Sequence, residues 1–186
     1  LDTSPDVVDA TDAVSIDGVR KDIHFDHVSF RYDEGSQVLH DINLTVPAGD
    51  VVAVVGPSGG GKSTLVDLVA RFYDPTHGAI LIDGTDLRSL TLSSVRGNMG
   101  IVTQEVILFN DTVRNNIAYG MDEIPLEQVV AAAVAANADT FVQQLDSGYD
   151  TLLGERGVRL SGGQRQRIAI ARAILKDPEI LIFDEA

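Results

Sequence analysis

Five apolar residues in a row, Val51-Val52-Ala53-Val54-Val55, run straight into Gly56-Pro57-Ser58-Gly59-Gly60-Gly61-Lys62-Ser63, and beyond Lys62 the apolar period changes. A run of Val and Ala of that length reads as a short strand buried on both faces of a parallel sheet. Leu65, Leu68, Val69 and Phe72 then fall at i, i+3, i+4 and i+7, the spacing of a helix with one buried stripe. The glycine-rich turn is thereby set at a helix N-terminus, where unpaired N–H groups and the positive end of the helix dipole face one point. Gly59, Gly60 and Gly61 let the backbone curl around phosphate oxygens without a Cβ in the way. Lys62 is expected to reach the β- and γ-phosphates of a nucleotide, and the Ser63 hydroxyl to ligate Mg²⁺.

The segments around this unit alternate between strand and helix patterns. Residues 1–20 are rich in Asp, contain Pro5 and show no periodicity, so they read as a linker. From Asp22 the pattern has period 2, with Ile23, Phe25 and His27 on one side and Val28 and Phe30 after a shift. Val38 to Val46 reads as a second strand, stopped by Pro47-Ala48-Gly49-Asp50. Ala79 to Ile82 and Gly100 to Val102 are further short strands. Thr112 to Ala118 and Leu126 to Ala136 are helical in pattern with no strand signal between them, which suggests a helical insertion into an α/β core. Gly162 to Leu175 is again helical, with Ile168, Ala171 and Leu175 on one face.

Two further segments carry chemistry. The apolar run Ile180-Leu181-Ile182-Phe183 ends in Asp184-Glu185, and in open α/β sheets ligands collect at the carboxyl ends of strands. Asp184 is then placed to hold Mg²⁺ through water, and Glu185 to act as the general base that orients and deprotonates an attacking water. Leu160-Ser161-Gly162-Gly163-Gln164 opens the last helix; Ser161 is a good N-cap and the two glycines leave first-turn N–H groups accessible.

The phosphate loop, the Leu-Ser-Gly-Gly-Gln pentapeptide and the strand ending in Asp-Glu, in this order, resemble the ATP-binding cassette (ABC) ATPases over nearly the whole chain, about Asp2 to Ala186. The resemblance implies a P-loop NTPase (RecA-like) α/β core with an N-terminal antiparallel β subdomain and an inserted helical subdomain, about residues 106–160. It implies ATP and Mg²⁺ as ligands, bound through Gly56, Pro57, Ser58, Gly59, Gly60, Gly61, Lys62, Ser63 and Thr64. Tyr32 falls where the family stacks an aromatic ring on adenine. Gln104 matches the glutamine that contacts Mg²⁺ and the attacking water, a pairing an amide can serve because it offers both acceptor and donors. Catalysis would rest on Glu185, Gln104 and Lys62, and metal binding on Ser63, Gln104 and Asp184. Ser161, Gly162, Gly163 and Gln164 would act in trans, on the nucleotide of a second ABC ATPase domain in a head-to-tail dimer.

Gly154-Glu155-Arg156-Gly157 is similar to a segment found in exporters, where it faces the membrane domain, and the linker opening Leu1-Asp2 is similar to the one that follows an exporter's last transmembrane helix. The resemblance therefore implies a transmembrane domain in the same polypeptide and a place at the cytoplasmic face of the cell membrane. The family also puts a γ-phosphate-contacting histidine after the position of Glu185, whereas His24, His27, His40 and His77 all come earlier. On that comparison the chain is cut short after the acidic pair, a C-terminally incomplete ATPase domain over residues 21–186.

Composition narrows the alternatives. Twenty-eight Asp and Glu against fourteen Lys and Arg give a formal charge of −14. Such a surface argues against nucleic acid, which wants clustered cations. It fits either an ordinary solvated acidic face or a surface adapted to molar salt, where screening shrinks to roughly 3 Å. DNA-repair and chromosome ATPases place a long coiled coil between the phosphate loop and the pentapeptide, and the interval from Lys62 to Leu160 has no room for one. A nucleotide-gated binding module needs no general base, so Glu185 speaks against it. With no cysteine, disulfides and thiolate metal sites are excluded.

Overall fold

The computed structural model describes residues 7–33, 35–103, 105–157 and 160–184, without the Arg156 side chain. It divides into two compact units, Leu1–Met99 and Gly100–Ala186.

The first unit is built on an antiparallel sheet. β1 (Asp22–Arg31) pairs with β2 (Gln37–Pro47) on one side and with β3 (His77–Ile82) on the other, and β3 continues to the short β4 (Thr85–Asp86). The shift in apolar pattern after Phe25 is a β-bulge: the register skips between Phe25 and Val28, and His27 takes a φ of 51°. One inserted residue returns Val28 and Phe30 to the buried face, while the His27 side chain turns out to solvent beside Asp41. The bulge presses on Gly78, whose φ is 79° and where any Cβ would run into the carbonyls of Asp26 and His27, so this position of β3 requires glycine.

α1 (Lys62–Val69) is shorter than its apolar stripe suggests. Leu68 and Val69 are buried as expected, but the helix stops at Ala70, Arg71 turns left-handed with a φ of 50°, and Phe72 lies half exposed under the Arg96 guanidinium. α2 (Leu92–Gly97) is capped by the Thr91 side chain. The described part of residues 1–20, from residue 7 on, lies against this region. Val14 bridges Leu90 in parallel, the Asp9 carboxylate accepts from the Leu92 N–H at 2.7 Å, and the Ser94 hydroxyl accepts from the Ile16 N–H at 3.2 Å.

The expected strand Val51–Val55 does not form. Among the described residues no strand supplies it with ladder partners, and Val51 and Val55 are 98% and 89% exposed. An apolar β-branched run favours extended backbone, but a strand exists only where a neighbour completes its hydrogen bonds.

The second unit is mainly helical. α3 (Val113–Ile117), α4 (Leu126–Ala135) and α5 (Asp139–Val142) gather around α6 (Gly162–Lys176), with α3 and α4 packed on it directly. Val113, Ile117, Val129, Ala133, Val142, Leu153, Ile168 and Ala171 form its core. Ala133 of α4 and Ala171 of α6 are fully buried where the two helices pack. β5 (Met99–Val102), which spans the boundary between the units, pairs with β6 (Ile180–Phe183).

Candidate nucleotide-binding site

The phosphate loop is a tight turn feeding a helix. The Gly60 N–H donates to the Pro57 carbonyl at 3.1 Å, and the first intrahelical bond of α1 runs from the Leu65 N–H to the Gly61 carbonyl at 2.9 Å. Gly61 is the hinge between turn and helix. Its φ is 85°, and a Cβ there would stand 2.8 Å from Leu39 Cδ2 and 3.3 Å from Val38 Cγ1. The loop therefore rests on β2 at Gly61, where no side chain holds it away. Residues 56–60 are exposed, with the first-turn N–H groups of α1 opening beside them. Lys62 Nζ donates to the carbonyls of Pro57 at 3.2 Å and Gly56 at 3.4 Å, so its ammonium lies over the loop. Backbone N–H groups, a helix N-terminus, an ammonium and the Ser63 hydroxyl make a donor set suited to a polyphosphate and a hard cation.

Tyr32 follows β1 and reaches this helix. Its hydroxyl and that of Thr64 are 3.0 Å apart. The ring packs edge-to-face against Phe30, with centroids 4.8 Å apart at 87°, and against Tyr73, 5.2 Å apart at 89°. Tyr32 keeps 37% of its surface exposed, whereas Thr64 is buried. Tyr32 and residues 56–64 are thus brought together within the first unit.

In the second unit, Ser161 caps α6 as expected. Its hydroxyl accepts from the Gln164 N–H at 3.3 Å, and the Gln164 side chain accepts in return from the Ser161 N–H at 2.8 Å, a reciprocal capping box. Gly162 and Gly163 have open space where a Cβ would stand. Arg165 donates to the Leu160 carbonyl at 2.8 Å and so fixes the chain entering the cap. Asp184 directly follows β6, and its N–H donates to the Val102 carbonyl at 2.9 Å. Lys62 and Asp184 lie in different units, and Gln104 and Glu185 fall outside the described residues.

A family model described as ABC transporter matches residues 39–186. The chain belongs to the ABC transporter family. An ATP-dependent lipid A-core flippase of Syntrophus aciditrophicus (strain SB) is 56% identical to this ABC chain over all 186 residues, which are 31% of the flippase. An ATM1-type heavy metal exporter of Novosphingobium aromaticivorans is 50% identical, again over the whole chain and 31% of its own length. A solved structure of a bacterial Atm1-family ABC exporter with ATP bound superposes with a TM-score of 0.94 at 49% identity, covering 99% of this chain and 32% of that one. The fold is accordingly that of an ABC ATPase domain, a P-loop NTPase with an antiparallel β part and a helical part. The chain spans about a third of the length of these relatives.

Sequence reasoning did not find Tyr73 beside Tyr32, nor the bond between Tyr32 and Thr64. Tyr73 comes just after the apolar stripe of α1, and only the left-handed turn at Arg71 brings it round to Phe30 and Tyr32. The tripeptide Arg71-Phe72-Tyr73 carries no turn residue that would have signalled that reversal.

Proposed function

We propose that this ABC chain binds and hydrolyses ATP to drive transport across a membrane, as the nucleotide-binding domain of an exporter. The observation that carries the reading is the loop Gly56–Gly61 turning into α1 with the Lys62 ammonium over it. In this reading the loop N–H groups, Lys62 and the backbone through Thr64 bind the phosphates, and Tyr32 packs against adenine. Ser63, Gln104 and Asp184 would hold Mg²⁺, Asp184 through water, and the cation would supply charge neutralisation for the phosphates. Gln104 orients the attacking water and Glu185 takes its proton.

Ser161, Gly162, Gly163 and Gln164 serve the nucleotide bound to a second ATPase domain in a head-to-tail dimer. An accessible first turn on a capped helix supports this role, since a γ-phosphate is an anion and a helix N-terminus attracts one. Residues 1–20 connect to a transmembrane domain of the same polypeptide, and residues about 106–160 form the helical subdomain. The domain then works at the cytoplasmic face of the cell membrane. Among the described residues no helix is long and apolar enough to cross a membrane, so a span belongs to other parts of the polypeptide in this reading.

Replacing Glu185 by Gln in the full-length polypeptide tests the reading. ATP binding should persist while steady-state turnover falls by about 100-fold or more, the usual scale for loss of a general base. Turnover near that of the unaltered protein would assign the base elsewhere.

A further inference from the structure

The hydroxyl pair Tyr32–Thr64 joins two parts of the site that the sequence leaves separate. Thr64 is the third residue of α1, the helix whose N-terminus faces the phosphate loop, and it is 6% exposed. Tyr32 follows β1 in the antiparallel sheet and is 37% exposed. A buried hydroxyl seeks a partner, because leaving it unmet costs most of its hydration. The Tyr32 hydroxyl is the partner the structure gives it, at 3.0 Å. Phe30 and Tyr73 restrain the ring by edge-to-face contacts, which limit its position but leave it free to slide. The hydrogen bond at the far end of the ring removes that freedom.

We propose that Thr64 is the positioning residue for Tyr32, so that recognition of the nucleobase is tied to the phosphate-binding helix through one hydroxyl–hydroxyl bond. The proposal rests on the ATP-binding reading above and adds a specificity role for a residue of the loop. A ring fixed relative to α1 offers the base a stacking partner at a set distance from the phosphates. A ligand that carries a planar base gains from that arrangement, and a bare polyphosphate does not.

The test is a double-mutant cycle read by equilibrium titration with Mg-ATP, alongside displacement of a fluorescent ATP analogue by inorganic tripolyphosphate. Thr64→Val and Tyr32→Phe should each weaken ATP about threefold to tenfold, the yield of one net hydrogen bond. The double variant should bind no more weakly than either single variant, because both changes remove the same bond. Thr64→Ser, which keeps the hydroxyl, should recover most of the ATP affinity lost in Thr64→Val. The tripolyphosphate affinity obtained from the displacement, corrected for each variant's own affinity for the analogue, should fall less than the ATP affinity in every variant. Tyr32→Phe alters a residue that is 37% exposed, so the cycle retains a folded member if the buried change at Thr64 is harmful. Losses that multiply in the double variant, losses equal for ATP and tripolyphosphate, no loss, or tighter ATP binding in Thr64→Val would each overturn the proposal. An unaltered protein whose ATP affinity is indifferent to Lys62→Ala would instead overturn the ATP reading, and this proposal with it.

Discussion

Arg71→Met should destabilise the protein by about 2–4 kcal/mol, although Arg71 touches no part of the proposed nucleotide site. The residue is 3% exposed, and its guanidinium joins three separate segments. Nη1 donates to the Leu90 carbonyl at 2.8 Å, Nη2 to the Val8 carbonyl at 3.3 Å, and Nε to the Asp74 carboxylate at 3.1 Å. Methionine has a similar length and fills much of the same space, so the change chiefly removes donors. The Leu90 carbonyl suffers most. Leu90 is fully buried, and an acceptor left unmet there costs about 1–3 kcal/mol. The Asp74 side chain is 35% exposed and can turn to water, which limits that ion pair to about 1 kcal/mol. The Val8 carbonyl belongs to an exposed residue and adds little. Both side chains meet the same left-handed backbone at this position, so strain cancels from the comparison. For a chain of this size each kcal/mol moves Tm by about 2–4 °C, so the melt should fall by roughly 4–16 °C. Scanning calorimetry on the two proteins measures it. A fall of less than about 2 °C would mean that the Leu90 carbonyl finds another donor at no cost, and that Arg71 is not what holds these segments together.

Two further outcomes follow from charge. The Asp83 carboxyl is pushed up by partial burial, but the N–H groups of Arg20, Lys21 and Asp22 outweigh this and hold it below its ordinary value. A depressed folded pKa means stability that is present above the unfolded value of about 3.9 and is lost as pH falls through the folded one. Asp83→Asn, which tolerates the left-handed backbone there, should therefore be less stable than the unaltered protein near pH 7 and should approach it as pH drops below about 4; a stability gap independent of pH in denaturant titrations would contradict this. If the formal charge of −14 is an adaptation to salt, Tm should rise steadily across a KCl series as screening relieves repulsion among carboxylates, and a flat or falling series removes that explanation.

What could be read in the sequence was what depends on neighbours in the chain. The shift between Ile23/Phe25 and Val28/Phe30 anticipated the bulge in β1, because one extra residue moves every later side chain to the other face. Ser161 was legible as the N-cap of α6, because a cap bond closes within a single turn, and the structure adds the return bond to Gln164. Val51–Val55 went the other way. Its composition favours a strand, yet strand formation depends on a neighbour that composition cannot supply, and these residues lie exposed. Residues 1–20, expected to be a linker, went another way. The segment has no apolar period, and its described part docks by backbone, carboxylate and hydroxyl bonds to residues 89–94, which leave no mark in hydrophobic patterning. The Tyr32–Thr64 bond needs β1 and α1 to meet in space, so no local rule reaches it.

Whether Gly56–Thr64 forms the triphosphate site is tested most directly by equilibrium titration of Lys62→Ala with Mg-ATP and Mg-ADP. Lys62 lies over the loop and is its sole side-chain cation, so its loss should weaken ATP, whose γ-phosphate it would reach, more than ADP. A triphosphate site at this loop requires a clear loss of ATP affinity and a smaller loss for ADP. Equal affinities of the variant and the unaltered protein for ATP would contradict it.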